Sequence, residues 1–344
     1  MKAMLVCEIA PIAKNPKPLM FDEIPEPKPK ADEVLIRVSV CGVCHTELDE
    51  IEGRTKPSQL PRILGHQVVG VIEEGKNKGQ RVGVAWIYAA CGKCKYCLSG
   101  NENLCAEFKA TGRDVNGGYA EYMTARADFV HPIPSLLSDS EAAPLLCAGA
   151  VGYRALRLAN IEDGQSLGLM GFGGSNHLVL KMVRQKYPNS AVFVFSRNAE
   201  EREFAKSLGA AWTGAINETP PDAMNAAIDT TPVWLPIVEA LKHLSPGGRL
   251  VVNGIRKEEI DKDVLLKLDY ATQLWMEKEI KSVANVTRQD VREFLQLAAE
   301  AKIKPEFQEF DLKDANAALL EMKHGKIRGA KVLKIHQETA RRKN

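Results

Sequence analysis

Four cysteines, Cys91, Cys94, Cys97 and Cys105, follow the spacing Cys-x2-Cys-x2-Cys-x7-Cys. Four thiolates at about 2.3 Å around one ion form the closed tetrahedron of a structural Zn2+ site. Gly92 and Gly100 lie where backbone reversals would turn the sulfurs inward. An iron–sulfur cluster and free thiols are the competing readings; no second cysteine set or electron-partner motif accompanies this one, which favours zinc. A nucleic-acid-binding zinc ribbon is the runner-up, weakened by the few basic residues in the segment. A closed site has no open position for chemistry, so the ion would hold a lobe together and catalyse nothing.

A second set must be assembled from distance. Cys44 opens Cys44-His45-Thr46-Glu47, His66 follows Gly65, and Cys147 sits in Leu145-Leu-Cys147-Ala-Gly149. Two Cys and one His leave a fourth position for water or an alcohol oxygen, the arrangement of a catalytic zinc. Taken singly each is weak: a lone Cys147 in an apolar run is more often a buried small hydrophobe, and a lone His66 a hydrogen-bonded structural histidine. A third constellation, Gly171-Phe172-Gly173-Gly174 followed by Ser175-Asn176, stands directly after an apolar strand and before a helical pattern. Glycines there allow a tight turn and the approach of a pyrophosphate to a helix N-terminus. Asn176 occupies the position where a third Gly or Ala is usual.

These residues need two kinds of scaffold. After a proline-rich stretch from Pro11 to Pro29, short β-like segments such as Val34–Val40 and Gln67–Ile72 are bounded by Gly, Pro or charge, which predicts an irregular antiparallel barrel. From about residue 150 the pattern changes to apolar strands (Ser166–Met170, Ala191–Phe195, Ala226–Asp229, Arg249–Asn253, Ile280–Ala284) alternating with helices such as Ala199–Leu208 and Asp263–Met276. Near-continuous apolar strands suit a parallel sheet covered on both faces. Helices over Gln289–Ala301 and Asp314–Lys323 and a strand over Ala330–Ile335 revert to the first texture, so the C-terminal piece is expected to rejoin the first domain.

The 344 residues are 45% hydrophobic and 26% charged, enough for two domains. With 46 Lys plus Arg against 44 Asp plus Glu, the net charge of +2 gives no nucleic-acid or membrane footprint beyond the short Arg341-Arg342-Lys343 tail. No apolar run approaches the roughly 18 residues of a membrane span, and the N-terminus lacks an apolar leader pattern. A cytoplasmic location is expected, and cysteine clustering in a reducing compartment points to metal rather than disulfides.

In order over nearly the whole chain, Gly42-Val-Cys44-His-Thr46, Gly65-His66, the four-cysteine segment, Gly117-Gly-Tyr-Ala-Glu-Tyr122, Leu145–Gly149, the glycine turn and Gly325-Lys-Ile-Arg328 resemble the zinc-containing alcohol dehydrogenases of the medium-chain dehydrogenase/reductase family. The resemblance implies an α/β protein. A GroES-like β-barrel catalytic domain (1–148 and 287–344, with the zinc lobe at 91–105) would join a Rossmann doubly wound parallel-sheet domain (149–286) binding NAD(P). It implies reversible oxidation of an alcohol to an aldehyde or ketone and two zinc ions per chain: Cys44, His66 and Cys147 for the catalytic ion, Cys91, Cys94, Cys97 and Cys105 for the structural one. Thr46 would accept the alcohol proton, Glu47 would bond the second nitrogen of His66, and His45 and Arg328 would contact the pyrophosphate. Gly171, Phe172, Gly173, Gly174, Ser175 and Asn176 form the turn against it. Trp86 and Ile87 match the substrate-pocket wall, although Trp86 also reads as barrel core.

Two departures stand out. Asp49 occupies the place of a histidine that in many relatives carries the proton from the cofactor ribose to water, so Asp49 relays through water or the relay runs differently. Gln67 stands where Gly-His-Glu is usual, which removes a carboxylate near the metal. At the end of the second Rossmann strand the residues are Ser196-Arg197-Asn198 rather than Asp or Glu. With no carboxylate to repel a 2′-phosphate and an arginine to pair with it, NADP(H) is favoured, NAD(H) remaining open if Arg197 is a solvated residue or stacks on adenine. Other readings on this scaffold are a zinc-independent quinone or enoyl reductase and a non-catalytic zinc-binding scaffold. The expected partners are a small alcohol or aldehyde and a second copy of the chain, as a homodimer or homotetramer in which Ile280–Ala284 is the pairing strand; no nucleic acid or membrane is expected.

Overall fold

The computed structural model describes residues 1–325 and 329–336. Its contacts divide into two units, Met1–Ala150 with the chain from Val286 onward, and Val151–Asn285.

The first unit is built around Glu33–Val43, an eleven-residue strand buried along almost its whole length. Its partners explain that burial. Val68–Glu74, Tyr122–Arg126 and Ala330–Lys334 all pair with it antiparallel, Leu333 lying opposite Cys41. Arg81–Val84 and Val130–Pro132 extend one side of this seven-stranded sheet, and Phe307–Asp311 joins the far edge parallel to Ala330–Lys334. A three-stranded sheet of Leu19–Glu23, Lys2–Val6 and Arg62–Ile63 completes the strands around the core. Val34, Ile36, Val38, Val82 and Val84 fill that core together with Ala315, Ala318 and Leu319 of the helix Ala315–Lys323. The C-terminal segment therefore belongs to the first unit through strand pairing as well as side-chain packing.

The second unit carries a six-stranded parallel sheet in the order Trp212–Gly214, Val192–Phe195, Leu167–Met170, Met224–Asp229, Leu244–Val252, Glu279–Ser282. Ranked by sequence this is 3-2-1-4-5-6, the doubly wound order that places a dinucleotide across the carboxyl ends of the central strands. Leu167–Met170 and Val192–Phe195 are buried at every position, as strands covered on both faces must be.

One expected helix is not continuous. In place of Asp263–Met276 there are a 3-10 turn at Lys262–Lys267, an extended Leu268, and a short helix Tyr270–Gln273. Asp269 is the reason: its carboxylate accepts from the backbone N–H of Thr272 at 2.8 Å and the Thr272 hydroxyl at 2.7 Å, starting a new helix rather than extending the old one. Among the described residues no helix is long and apolar enough to cross a membrane.

Candidate functional site

Cys44 is the N-cap of the helix His45–Ile51, in extended conformation at the end of the central barrel strand. Glu47, one turn in and fully buried, uses Oε2 to accept the Cys44 backbone N–H at 2.7 Å. Its other oxygen, Oε1, lies 2.7 Å from His66 Nδ1. His66 follows Gly65, whose φ of +96° and close approach to the Tyr119 ring, 2.4 Å from where a Cβ would stand, leave room for no other residue. Cys147 arrives from a third direction. The capping box of Ser138 and Glu141 starts the helix Asp139–Pro144. Pro144 brings no N–H to the ladder, and the next turn, Leu145–Gly149, is a wide π-helical one of the kind that often occurs at functional sites.

The result is that Cys44 Sγ, a His66 ring nitrogen and Cys147 Sγ all lie within 4.8 Å of one another. His66 Nε2 stands 3.3 Å from Cys147 Sγ, and Cys44 Sγ 3.5 Å from Thr46 Oγ1. With Glu47 accepting at Nδ1, the free lone pair of the imidazole is on Nε2, facing the sulfurs. Cys147 and His66 together hold the Cys44 thiol well below its usual range despite burial. Burial alone would push the His66 ring down; the Glu47 carboxylate and the Cys44 sulfur outweigh it and hold it well above. Two soft sulfurs and one oriented imidazole, converging with no fourth donor in the cluster among the described residues, suit a tetrahedral cation that keeps one position open.

The second cluster is closed. Cys91, Cys94, Cys97 and Cys105 lie within 4.8 Å of one another, with sulfur–sulfur separations of 3.8 Å (Cys91–Cys97) and 3.6 Å (Cys94–Cys97). Corners of a tetrahedron with 2.3 Å metal–sulfur bonds stand ~3.8 Å apart, so the four fit one zinc ion and are too far apart for disulfides. Gly92 (φ +72°) and Gly100 (φ +70°) make the turns between them. Backbone N–H groups of Lys93 and Cys94 draw the Cys91 thiol down to about 7. Buried Glu102, within the lobe, accepts the Arg288 backbone N–H at 3.0 Å and Nε at 3.1 Å, tying the lobe to the start of the helix Arg288–Glu300.

In the second unit, Gly171 (φ +78°) ends the strand Leu167–Met170, and the helix Asn176–Lys186 begins five residues later. A Cβ on Gly173 would meet nothing within 4 Å, so that face of the turn is open. Phe172 enters the turn by its backbone only: its ring is buried edge-on against Phe204 at 5.7 Å. Ser175 precedes the helix and accepts from Asn253 Nδ2 at 3.3 Å. Fully buried Asn176 donates Nδ2 towards Met170 O (3.2 Å), Gly171 O (2.8 Å) and Thr230 Oγ1 (3.1 Å). The departure from a third glycine is thereby explained: an amide bonds the turn to two strand ends where a small residue would only let them approach.

The remaining candidates scatter. His45 is exposed on the first helical turn and Thr46 half-buried. Asp49 is buried with its Oδ1 accepting from Arg54 Nε at 2.6 Å, so that carboxylate already serves an ion pair. Gln67 is buried against Gly42, where its side chain fills the space a Cβ would need. Trp86 is held between Phe108 (5.0 Å) and the Arg113 guanidinium (5.2 Å), and Ile87 is fully buried. Ser196 is buried, Arg197 exposed, and Arg328 lies outside the described residues.

Two carboxylates escaped the sequence reading. Glu50, three residues after Glu47 on the same helix face, is fully buried, and among the described residues neither of its oxygens has a hydrogen-bond partner. Burial, then the nearby Glu47 charge, pushes its carboxyl well above the usual range. Its only sequence signal was the i, i+3 spacing. Glu201 reaches back to Ser196, its Oε2 accepting the hydroxyl at 2.5 Å. The end of the second strand, read as free of carboxylate, therefore has one supplied by the following helix.

The alcohol dehydrogenase GroES-like domain family matches residues 30–135. A probable alcohol dehydrogenase of Mycobacterium tuberculosis, AdhA, is 40% identical over 346 residues, covering 97% of each chain. An alcohol dehydrogenase of Geobacillus stearothermophilus is 38% identical over 337 residues, 93% of this chain and 97% of the relative. The fold is shared with a cobalt- and zinc-bound thermostable alcohol dehydrogenase from Pyrobaculum aerophilum, with a TM-score of 0.83 at 24% identity over 97% of this chain and 99% of that one.

Proposed function

Because the chain belongs to the alcohol dehydrogenases of the medium-chain dehydrogenase/reductase family, an oxidoreductase family acting on alcohols, we propose that it is a zinc-dependent enzyme of that kind. It would transfer hydride reversibly between a small alcohol and NAD(P)+ to give an aldehyde or ketone. The observation that carries the proposal is the convergence of Cys44, His66 and Cys147 within 4.8 Å, with Glu47 on the far nitrogen of the histidine. A zinc ion held there would supply Lewis acidity to an alcohol oxygen.

The chain's own groups do the rest. Glu47 fixes the His66 tautomer, and its second oxygen pins the backbone of Cys44, so two donors share one orienting carboxylate. Thr46, its hydroxyl 3.5 Å from Cys44 Sγ, would take the alcohol proton. Asp49, engaged with Arg54, would pass a proton only through water. The open face at Gly173 and the helix Asn176–Lys186 would receive the pyrophosphate, with Gly171, Gly174, Ser175 and Asn176 shaping the turn and His45 and Arg328 as further contacts. Trp86 and Ile87 would wall the substrate pocket. Cys91, Cys94, Cys97 and Cys105 would hold a second, structural zinc, so the Val151–Asn285 unit would serve the cofactor and the other unit both metals.

NADP(H) is the favoured cofactor, on the strength of exposed Arg197 beside Ser196 and with NAD(H) as the alternative. The exposed edge strand Glu279–Ser282, with Ile280 half in solvent, supports pairing with a second copy into a homodimer or homotetramer. A cytoplasmic location accords with this chemistry. The intact sulfur–imidazole trio weighs against a zinc-independent quinone or enoyl reductase and against a non-catalytic scaffold.

The test is oxidation of NADPH and NADH with a panel of aliphatic, branched, aromatic and cyclic aldehydes and ketones, before and after zinc chelation. Chelator-sensitive turnover favouring NADPH is expected. Turnover indifferent to complete metal removal would transfer the protein to the quinone-reductase reading.

A further inference from the structure

The end of the second strand in a doubly wound sheet is where the adenosine ribose of a dinucleotide is read. A carboxylate there accepts the 2′-hydroxyl of NAD(H); a 2′-phosphate needs donors and cations instead. The strand Val192–Phe195 ends in Ser196-Arg197-Asn198, and Asn198 caps the helix Ala199–Ser207 by accepting the Glu200 N–H at 2.8 Å.

Glu201, at the third helical position, is where a side chain commonly reaches back to the N-cap N–H. Here Ser196 Oγ accepts the Asn198 N–H at 3.1 Å, and Glu201 Oε2 accepts the Ser196 hydroxyl at 2.5 Å. Arg202 Nη1 donates to the Ser196 carbonyl at 2.7 Å, so that cation is already engaged beneath the same residue. Arg197 projects from the exposed side. One serine thus carries a carboxylate on its hydroxyl and a guanidinium on its carbonyl, with a second guanidinium adjacent in sequence.

We propose that Glu201 sets the margin between the two nicotinamide dinucleotides, an inference that rests on the dinucleotide chemistry proposed above. Bonded to Ser196, its carboxylate can accept the ribose 2′-hydroxyl of NAD(H). For NADP(H) it must release Ser196 and turn away, because it would otherwise face the phosphate with like charge. The freed Ser196 hydroxyl and Arg197 then hold that phosphate. The pairing makes the chain a dual-cofactor protein whose preference is narrower than Arg197 alone would give.

Dissociation constants for NADPH and NADH, measured without substrate by fluorescence titration at fixed ionic strength, test this in the full chain, in Glu201→Gln and in Glu201→Asp. Glu201→Gln is expected to tighten NADPH about tenfold while leaving NADH unchanged or weaker, since a like charge is removed from the phosphate. Glu201→Asp, which keeps the charge on a shorter arm, is expected to stay within about threefold of the original ratio. A ratio unmoved in Glu201→Gln, with a lowered melting temperature, would make Glu201 a brace for the turn and overturn the inference. Failure of the unmutated protein to bind either dinucleotide would sink the proposed function itself, and this inference with it.

Discussion

Glu47 stands between two candidate metal donors: Oε1 lies 2.7 Å from His66 Nδ1 while Oε2 accepts the Cys44 backbone N–H at 2.7 Å. Replacing it by alanine frees the imidazole to rotate and unpins the helix start. Zinc affinity at this site is expected to fall by about 10- to 100-fold, the usual effect of losing such an orienting carboxylate. Competition with a chromophoric chelator measures it, and an affinity equal to that of the unmutated protein would remove Glu47 from the site.

The closed cluster behaves differently. Cys97 is the sulfur that approaches both Cys91 and Cys94, so Cys97→Ser is expected to reduce bound zinc by one ion per chain and lower the melting temperature. Metal analysis by mass spectrometry, run beside a thermal melt, checks both. Unaltered zinc content would mean that the lobe is held by something other than an ion.

His131 provides the pH dependence. It is fully buried on the strand Val130–Pro132 with no hydrogen-bond partner for either ring nitrogen among the described residues, and burial, with Arg292 and Arg288 nearby, pushes it down to about 3. The folded ring stays neutral where the unfolded one takes a proton, so stability is lost as pH falls below the unfolded value of about 6.5 and continues to fall until about pH 3. Between pH 7 and 5 this one group costs ~2 kcal/mol. Urea titrations at the two pH values should show His131→Leu losing that much less than the unmutated protein; equal losses would assign the acid sensitivity elsewhere.

Asn176→Ala strips the glycine turn of its amide. The carbonyls of Met170 and Gly171 lose a donor that reaches them at 3.2 and 2.8 Å, and the expected cost is about 1–3 kcal/mol. Chemical denaturation followed through the second unit measures it. No change in midpoint would mean that water replaces the amide without loss.

How much of this was legible follows from range along the chain. The four-cysteine lobe is a local spacing, and so are the glycine turn and the strands on either side of it. Cys44, His66 and Cys147 come from the end of a barrel strand, a loop and a π-helical turn; their donor types suggested a set and the family resemblance joined them, because no periodicity links positions so far apart. Glu201 was hidden for a subtler reason. The strand-end rule looks at the residues that close the strand, while this carboxylate returns to Ser196 from the next helix. Asp269 misled in the opposite sense, since a helical apolar pattern ran through a residue whose side chain starts a new helix.

The strand Ala330–Lys334 lies against Val40–Val43 near the middle of the first unit's main sheet. During synthesis, the Val151–Asn285 unit is complete on the ribosome as one uninterrupted stretch and is free to close as it emerges. The barrel must wait. Its central strand spends most of translation without its last neighbour, with the backbone donors and acceptors of Val40–Val43 exposed to other chains. Folding of the first unit is therefore a late, long-range event, and the step most open to capture by a chaperone or a neighbouring chain.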